Sequence, residues 1–351
     1  MRWSERDYVI AFNMLDGVGP KRLSALVKFF GSLEQAWHAD CRDLIRVPGF
    51  GEVLARHIAD QRREIDPNDE KGWAASHGAR IITLLDSQEY PSCLKHLPNP
   101  PLALYVRGQL PDRLGIAIVG SRKATQTGKK QAYNFAYRLA DCGIPIISGL
   151  AVGIDTQAHL GALAAQGFTA AVMATPINVI YPAHNRRLAQ SIADSGCIVT
   201  EFSSRTGTKP GNFPLRNRLI AAFSQAILVV EAGQKSGTLS TVDAGLDLGR
   251  DIWAVPGDIG HPLRKGTHAL IKQGAGLADS PDDLLAAFPQ NSINLEINLD
   301  RDHEIVLKYY LQGYSPDKIV ALTGIPIHEV QNAITMIELD GLSNSGREHR
   351  L

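Results

Sequence analysis

The chain is poor in the residues that staple or anchor a protein. Its 351 residues include four cysteines, Cys41, Cys93, Cys142 and Cys197. They stand far apart with no C-x-x-C pair, which excludes a zinc ribbon and argues against a disulfide scaffold. No apolar run approaches the roughly 20 residues that span a bilayer, and Met1-Arg-Trp-Ser-Glu-Arg-Asp7 lacks the apolar core of a signal peptide. A cytoplasmic protein without membrane contact is expected. Net charge is absent as well, with 36 basic against 36 acidic side chains. The dinucleotide fingerprint G-x-G-x-x-G is missing, and so is G-x-x-x-x-G-K-[ST]; Gly120-Ser-Arg-Lys123 has its lysine too early. Hydride transfer and phosphate-loop hydrolysis are therefore poor readings. No metal-ligand spacing occurs, so neither a metal nor a cofactor is expected. Asp155 and His159 lie one helical turn apart, and we read Asp155 as a helix-start carboxylate bonded to a neighbour.

The charge that is present is unevenly placed. Residues 115–280 carry 16 basic and 10 acidic side chains, residues 281–351 carry 5 and 11, and residues 1–114 balance at 15 and 15. An anion-binding surface belongs in the middle of the chain, and the acidic C-terminal segment is better suited to a protein partner.

Residues 1–65 read as short helices with two similar turns, Leu15-Asp-Gly-Val-Gly-Pro-Lys-Arg-Leu23 and Val47-Pro-Gly-Phe-Gly-Glu-Val-Leu54. Each places G-x-G before a helical run whose free N–H groups can face an anion. This resembles a helix-hairpin-helix turn, and Gly17, Gly19 and Lys21 are candidate contacts to a duplex backbone. A purely structural αα-hairpin is the alternative. Glu52 makes the second copy structural. The charged, turn-forming residues 62–72 end this unit. Ala79–Leu85 and Leu102–Val106 then read as strands leading into a central domain.

From residue 115 onward strand and helix signals alternate, the mark of a parallel sheet covered on both faces. Candidate strands are Gly115–Val119, Pro145–Ser148, Ala170–Ala174, Cys197–Glu201, Ala226–Glu231 and Ile252–Val255. An amphipathic helix with Ala132, Phe135, Ala136, Leu139 and Ala140 on one stripe separates the first two. Further helices fit 155–166, 185–195, 214–224, 238–249 and 267–273. The expected fold is α/β: an extended Rossmann-like, doubly wound, mostly parallel sheet over 80–280. It is preceded by the helical helix-hairpin-helix (SAM-like) domain of 1–65. A linker at 281–299 and a small winged-helix-like domain at 300–351 follow. In that last unit Ser315-Pro316 opens a helix that Gly324 closes, and Pro326 opens another whose stripe is Val330, Ile334 and Ile337.

In such a sheet ligands bind beyond the carboxyl ends of the strands. Gly120, Ser121 and Arg122 follow the first strand, Gly149 the second, and Ser236, Gly237 and Thr238 the fifth. Glycine, hydroxyl and guanidinium groups before helix N-termini make a place for phosphates. The sharpest stretch is Lys209-Pro-Gly-Asn-Phe-Pro-Leu-Arg-Asn-Arg218. Lys209, Arg216 and Arg218 can pair phosphates while Phe213 offers a face to a base, a combination suited to single-stranded nucleic acid. In the alternative, Phe213 is core and Arg216 and Arg218 pair with Glu201 or Glu231.

The ordered set Val119-Gly-Ser-Arg122, Ser148-Gly-Leu-Ala-x-Gly-Ile-Asp155 with His159, Tyr181-Pro182, Phe213-Pro-x-Arg-Asn-Arg218, Val229-Val-Glu-Ala232, Ser236-Gly-Thr238, Gly249-Arg250 and Ala254-Val-Pro-Gly257 resembles the bacterial DNA-processing protein A (DprA/Smf) family. The resemblance implies a non-catalytic protein that binds and protects incoming single-stranded DNA and loads the RecA recombinase during natural transformation. It also implies a homodimer formed through the Rossmann-like domain. Carried over, Gly120, Ser121 and Arg122 would hold phosphates, Lys209 and Phe213 would line the strand's path, and Arg216, Asn217 and Arg218 would shape its wall. The chain departs from the family pattern at Ala174–Tyr181, where a Gly-rich stretch is usual. It departs again at Ala183, where some members carry lysine and where Arg186 or Arg187 would substitute as a phosphate contact, and at His268, where asparagine is common. The rival expectation is a related Rossmann-like phosphoribohydrolase that cleaves nucleoside monophosphates at the N-glycosidic bond. That group resembles P-G-G-x-G-T-x-x-E at the fifth strand end. Here Pro-Gly-Gly is missing and Thr241 stands where the carboxylate would stabilise an oxocarbenium-like transition state.

Overall fold

The structure is a computed structural model that describes residues 3–95, 97–288, 306, 309–310, 314–325, 327 and 330. The chain divides into two compact units, residues 1–290 and 291–351.

The first unit opens with helices α1 (Glu5–Asn13), α2 (Pro20–Phe30), α3 (Leu33–His38), α4 (Cys41–Ile45), α5 (Glu52–Gln61) and α6 (Pro67–Ser76). Strand β1 (Arg80–Thr83), the short helix α7 (Ser92–Lys95) and β2 (Ala103–Gly108) come next. Alternation then runs β3 (Gly115–Val119), α8 (Gln126–Asp141), β4 (Ile146–Ser148), α9 (Ile154–Ala164), β5 (Thr169–Val172), α10 (Arg186–Ser195), β6 (Cys197–Thr200), α11 (Asn212–Ala222), β7 (Ser224–Val229), α12 (Leu239–Asp247), β8 (Asp251–Ala254), α13 (Lys265–Lys272), β9 (Gly276–Leu277) and α14 (Pro281–Ala287). The nine strands form one sheet in the order β1-β2-β6-β5-β4-β3-β7-β8-β9. Only the pairs β1–β2 and β2–β6 are antiparallel. The six strands expected from 115 onward are all present, displaced by at most two residues at an end, because unbroken Val/Ile/Ala runs suit strands buried on both faces.

Every position of β3, β4, β5 and β6 is buried. On one face α7, α11, α12 and α13 cover Leu104, Ala117, Ile147, Val199 and Ile227. On the other, α8 and α9 cover Ile116, Ile118, Ile146 and Leu228. The N-terminal helices complete that second cover. Tyr8, Phe12, Leu26, Trp37 and Ile58 share one core with Ala103, Tyr105, Met173 and Ile198 of the sheet region. The helical segment is thus built into the sheet's covering layer, and Trp73 of α6 meets Tyr105 edge-on at 6.0 Å.

Two expectations change. The charged boundary at 62–72, read as turn-forming, is helical from Pro67 onward, where α6 begins. Asp66 accepts from Asn68 N and Pro67 occupies the first turn, where a missing N–H costs nothing. Glu70 of this helix is buried and accepts from both the backbone N–H and the hydroxyl of Ser204. The first residues of the 281–299 linker are likewise helical: Ser280 and Asp283 form a capping box at α14, and Leu284 is fully buried in the core beneath α8. Residues 289–299 lie outside the described residues.

In the second unit the helix Pro316–Thr323 starts at Ser315 and ends at Gly324 with φ +73°, as its end signals predict. Val306, Ile319, Ile325 and Val330 form a small core. The expected stripe residues Ile334 and Ile337 lie outside the described residues.

Candidate functional site

The carboxyl edge of β3 marks the topological switch, since the chain leaves β3 toward β4 on one side and returns as β7 on the other. Two loops meet there. The Ser121 N–H donates to Glu231 O at 2.7 Å. Thr125, the N-cap of α8, donates its hydroxyl to Glu231 Oε1 at 2.6 Å and its N–H to Oε2 at 2.9 Å. Arg264 Nη2 lies 3.3 Å from the same carboxylate, with both side chains almost wholly buried. Glu231 is therefore a brace between the β3 and β7 loops. A Cβ at Gly128 would collide with its carboxyl, and one at Gly120 would come within 2.6 Å of Ile154 Cγ1. These glycines let the loops close over the sheet.

Beside this brace, the β4–α9 turn is fixed from within. Asp155, in the first turn of α9, accepts from Gly149 N at 3.1 Å and Ala151 N at 3.3 Å in the preceding loop. Arg216 Nη1 donates to Gly149 O at 2.8 Å and also to Val172 O, and its Nε donates to Asn217 Oδ1 at 3.0 Å. Asn185 Nδ2 holds Leu150 O at 2.9 Å, and Leu150 sits in the left-handed region at φ +59°. Burial pushes the Asp155 carboxyl up to about 6 against the pull of Arg216 and Arg122. Burial likewise lowers Arg216 to about 10, so it stays charged at neutral pH. His159 completes the cluster. The Thr169 hydroxyl donates to Ile146 O and must accept from His159 Nδ1–H at 2.8 Å, which leaves Nε2 buried without a partner. Burial, reinforced by Arg216, pushes this imidazole down to about 3 and keeps it neutral.

Above this buried layer lies an exposed one. Arg122 lies over the Phe213 ring, Cζ 4.7 Å from its centroid, and Tyr181 meets the same ring edge-on at 5.7 Å. Three segments distant in sequence thus make one aromatic and guanidinium platform at the tips of β3, β5 and α11. Arg122, Lys123, Arg186 and Arg187 are exposed and have no carboxylate partner among the described residues. Lys209 is exposed and lies 3.7 Å from Asp16 of the first G-x-G turn, a contact that contributes little to stability.

The structure thus brings Gly120, Ser121, Arg122, Gly149 and Phe213 together, with Arg186 exposed at the start of α10 and Lys209 exposed on the loop before α11. It does not offer all of the predicted wall to a ligand. Arg216 is only 4% exposed, so its donors serve Gly149 and Val172, and it acts on the surface by holding the Gly149 turn. Asn217 is buried and donates to Ser240 Oγ at 2.8 Å. Arg218 pairs with Glu201 at 2.6 Å, as the alternative reading had it, and burial raises the Glu201 carboxyl. Glu231 pairs instead with Arg264. Ser236 and Thr238 bond each other at 2.9 Å, with Thr238 buried and Gly237 exposed. Gly17 accepts from Arg22 Nη1 at 2.6 Å and Gly19 caps α2, leaving Lys21 exposed. The same Arg22 reaches Gly49 O at 3.4 Å and ties the two turns together.

Sequence reasoning passed over Tyr181, Asn185 and Asn212. Tyr181 stands in the Tyr181-Pro182 pair that was seen and given no role. Asn212 donates from Nδ2 to Ala174 O at 3.2 Å and Gly207 O at 3.0 Å, fixing the loop that carries Lys209. A lone asparagine gives no signal of such a role. Thr241 is buried in α12, and the Glu231 carboxylate is engaged by Thr125 and Arg264.

Residues 80–289 match the family described as DNA recombination-mediator protein A. The chain is 37% identical over 293 residues to protein Smf of Synechocystis, covering 81% of this chain and 73% of that one. A crystal structure of DNA processing protein A from Streptococcus pneumoniae superposes with a TM-score of 0.67 at 28% identity, over 82% of this chain and 98% of the other. A second, DNA processing protein A from Helicobacter pylori, described for its single-stranded DNA binding mode, gives a TM-score of 0.55 at 27% identity, over 61% and 98%.

Proposed function

Since the chain belongs to the DNA recombination-mediator protein A family, we propose that it is a non-catalytic mediator that holds single-stranded DNA along the carboxyl edge of its sheet. The observation that carries this reading is Arg122 laid over Phe213 at the switch point. A guanidinium on a ring keeps its N–H rim free for phosphate oxygens, and the aromatic pair beside it offers π faces without base-specific donors. Gly120, Ser121 and Gly149 bring backbone close to the path, Lys209 and Arg186 extend the positive rim, and the Ser236–Thr238 loop closes one end. Arg216, Asn217 and Arg218 support the wall from behind.

In this reading the 80–280 region is the DNA-binding domain. Residues 1–65 form a helix-hairpin-helix-like cover whose Gly17–Lys21 turn is a candidate duplex contact. The acidic 300–351 unit serves a protein partner. Handing the strand to the RecA recombinase, acting as a homodimer and serving natural transformation in the cytoplasm belong to the same proposal.

Fluorescence anisotropy with labelled single- and double-stranded oligonucleotides at two salt concentrations tests it. Single strands should bind more tightly than duplex. Arg122→Ala should weaken binding across sequences and reduce the slope of log K against log salt by about 0.7 for one lost phosphate contact. Unchanged affinity and slope would remove Arg122 from the interface.

A further inference from the structure

At the opposite edge of the sheet, where the strands begin, a cavity of ≈ 620 Å³ opens. Leu114 and Phe223 immediately precede β3 and β7, and Arg250 immediately precedes β8, so the cavity sits at the amino edge of three adjacent parallel strands. The five residues of β3 put about 17 Å between this edge and the Arg122 loop. Its volume falls in the range of about 300–1,000 Å³ typical of small-molecule sites.

The wall has two characters. Lys95, Arg113 and Arg250 contribute three cations, while Tyr90, Pro111 and Phe223 contribute an apolar, partly aromatic side. The Nε atoms of Arg113 and Arg250 are both shielded from water and have no acceptor among the described residues. Arg250 otherwise makes one long contact, Nη2 to Ala222 O at 3.5 Å. Arg113 donates Nη2 to Gly143 O at 2.6 Å, with Asp112 4.0 Å from its Nε. Lys95 is exposed and without a partner among the described residues. The rim carboxylate of Glu89 is engaged by Arg80 at 3.7 Å. Shielding takes those two Nε atoms out of a ligand's reach, so the cationic wall consists of Lys95 and the remaining guanidinium nitrogens of Arg113 and Arg250. Planar donors of this kind match phosphate oxygens. Cys93, pushed up to about 11 by burial, is a neutral thiol and belongs to the apolar side.

We propose that this cavity is a second ligand site that takes a phosphate monoester carrying a flat ring, of mononucleotide size. The phosphate seats against Arg113, Arg250 and Lys95, and the ring lies toward Tyr90, Pro111 and Phe223. The site is independent of the strand-binding edge.

Calorimetric titration of the full chain tests this with three probes: 5′-AMP, inorganic phosphate and adenosine. The nucleotide should bind at one site per chain, and each half alone at least about tenfold more weakly. Arg250→Gln should weaken 5′-AMP binding about tenfold or more while leaving affinity for a single-stranded oligonucleotide unchanged. Arg122→Ala should leave 5′-AMP binding intact. If Arg250→Gln fails to fold, Lys95→Gln, altered at an exposed position, carries the same comparison with a several-fold loss. Absence of 5′-AMP binding would overturn the proposal. So would equal binding of phosphate alone, or nucleotide binding that Arg122→Ala abolishes and neither cavity variant changes.

Discussion

Two arginines of the proposed strand-binding edge have opposite duties, and their surroundings explain why. Arg122 is exposed, stacked on Phe213 and without a carboxylate partner, so its loss should be felt in ligand binding. Arg216 is enclosed, with Nη1 directed to the Gly149 and Val172 carbonyls and Nε to Asn217 Oδ1, so its loss should be felt in folding first. Phe213→Ala should weaken single-strand binding by roughly 1–3 kcal/mol, one stacked base, with the salt slope unchanged because stacking releases few counterions; anisotropy titrations at stepped salt would reveal a slope change if the ring acted otherwise. The buried pair beneath makes a pH prediction. Asp155, ordinarily near 3.8 and raised here to about 6, takes up its proton earlier in the folded state than in the unfolded one. Its contribution to stability is fully present below about pH 4 and is lost as pH rises through about 6. His159, ordinarily 6.5 and lowered to about 3, contributes stability above 6.5 that is lost as pH falls. Between about pH 6 and 4 the two effects oppose each other. Asp155→Asn removes one of them, so the variant's unfolding free energy should drop about 1.4 kcal/mol more per pH unit than wild type in that window. Denaturant titrations at stepped pH measure this, and parallel curves would contradict it.

At the scale of the element, the decisive feature is the turn between β4 and α9. Asp155 takes its amide groups, Arg216 its Gly149 carbonyl and Asn185 its Leu150 carbonyl, and together they hold Leu150 at a φ that a leucine rarely adopts. A Cβ at Gly149 would lie 2.6 Å from both Arg216 terminal nitrogens. Gly149→Ala should therefore cost about 1–3 kcal/mol by overpacking and weaken strand binding as the turn shifts. Gly237→Ala is the control. Nothing lies within 4 Å of its Cβ position and its φ is not positive, so stability should stay within about 0.5 kcal/mol of wild type. Thermal unfolding of the two variants side by side separates the cases.

For the molecule as a whole, the shared core of the N-terminal helices and the sheet decides what can be cut away. A fragment beginning at residue 80 uncovers Tyr105, Met173 and Ile198 and removes the Asp16 partner of Lys209. It should retain most single-strand affinity, since Arg122, Phe213 and Gly149 lie within it, yet melt well below the full chain. Removing residues 299–351, which carry more acid than base, should leave DNA affinity unchanged. Melting curves and anisotropy on both truncations give the answer, and a large loss of affinity in the second would place part of the interface in the acidic unit. No helix of the described residues is long and apolar enough to cross a membrane.

Much of this was legible in the linear order of residues. Strands buried on both faces must be continuous apolar runs, so Gly115–Val119 and Ile252–Val255 announced themselves within a residue or two. Helix ends are set by local chemistry, so Ser315-Pro316 and Gly324 marked theirs. The Rossmann-like winding followed from alternation, and the glycines and Arg122 at the strand tips from the rule that ligands sit there. Only the tertiary structure decided which cations face outward: Arg122 and Arg216 are equally basic in sequence, and what separates them is the Gly149 and Val172 carbonyls, supplied by segments 40 to 70 residues away. The same holds for Glu231, whose partners Thr125 and Arg264 come from opposite directions along the chain, and for the N-terminal helices, which read as a unit of their own and share their core with the sheet. Burial is a property of neighbours brought together by folding, and no local pattern encodes it.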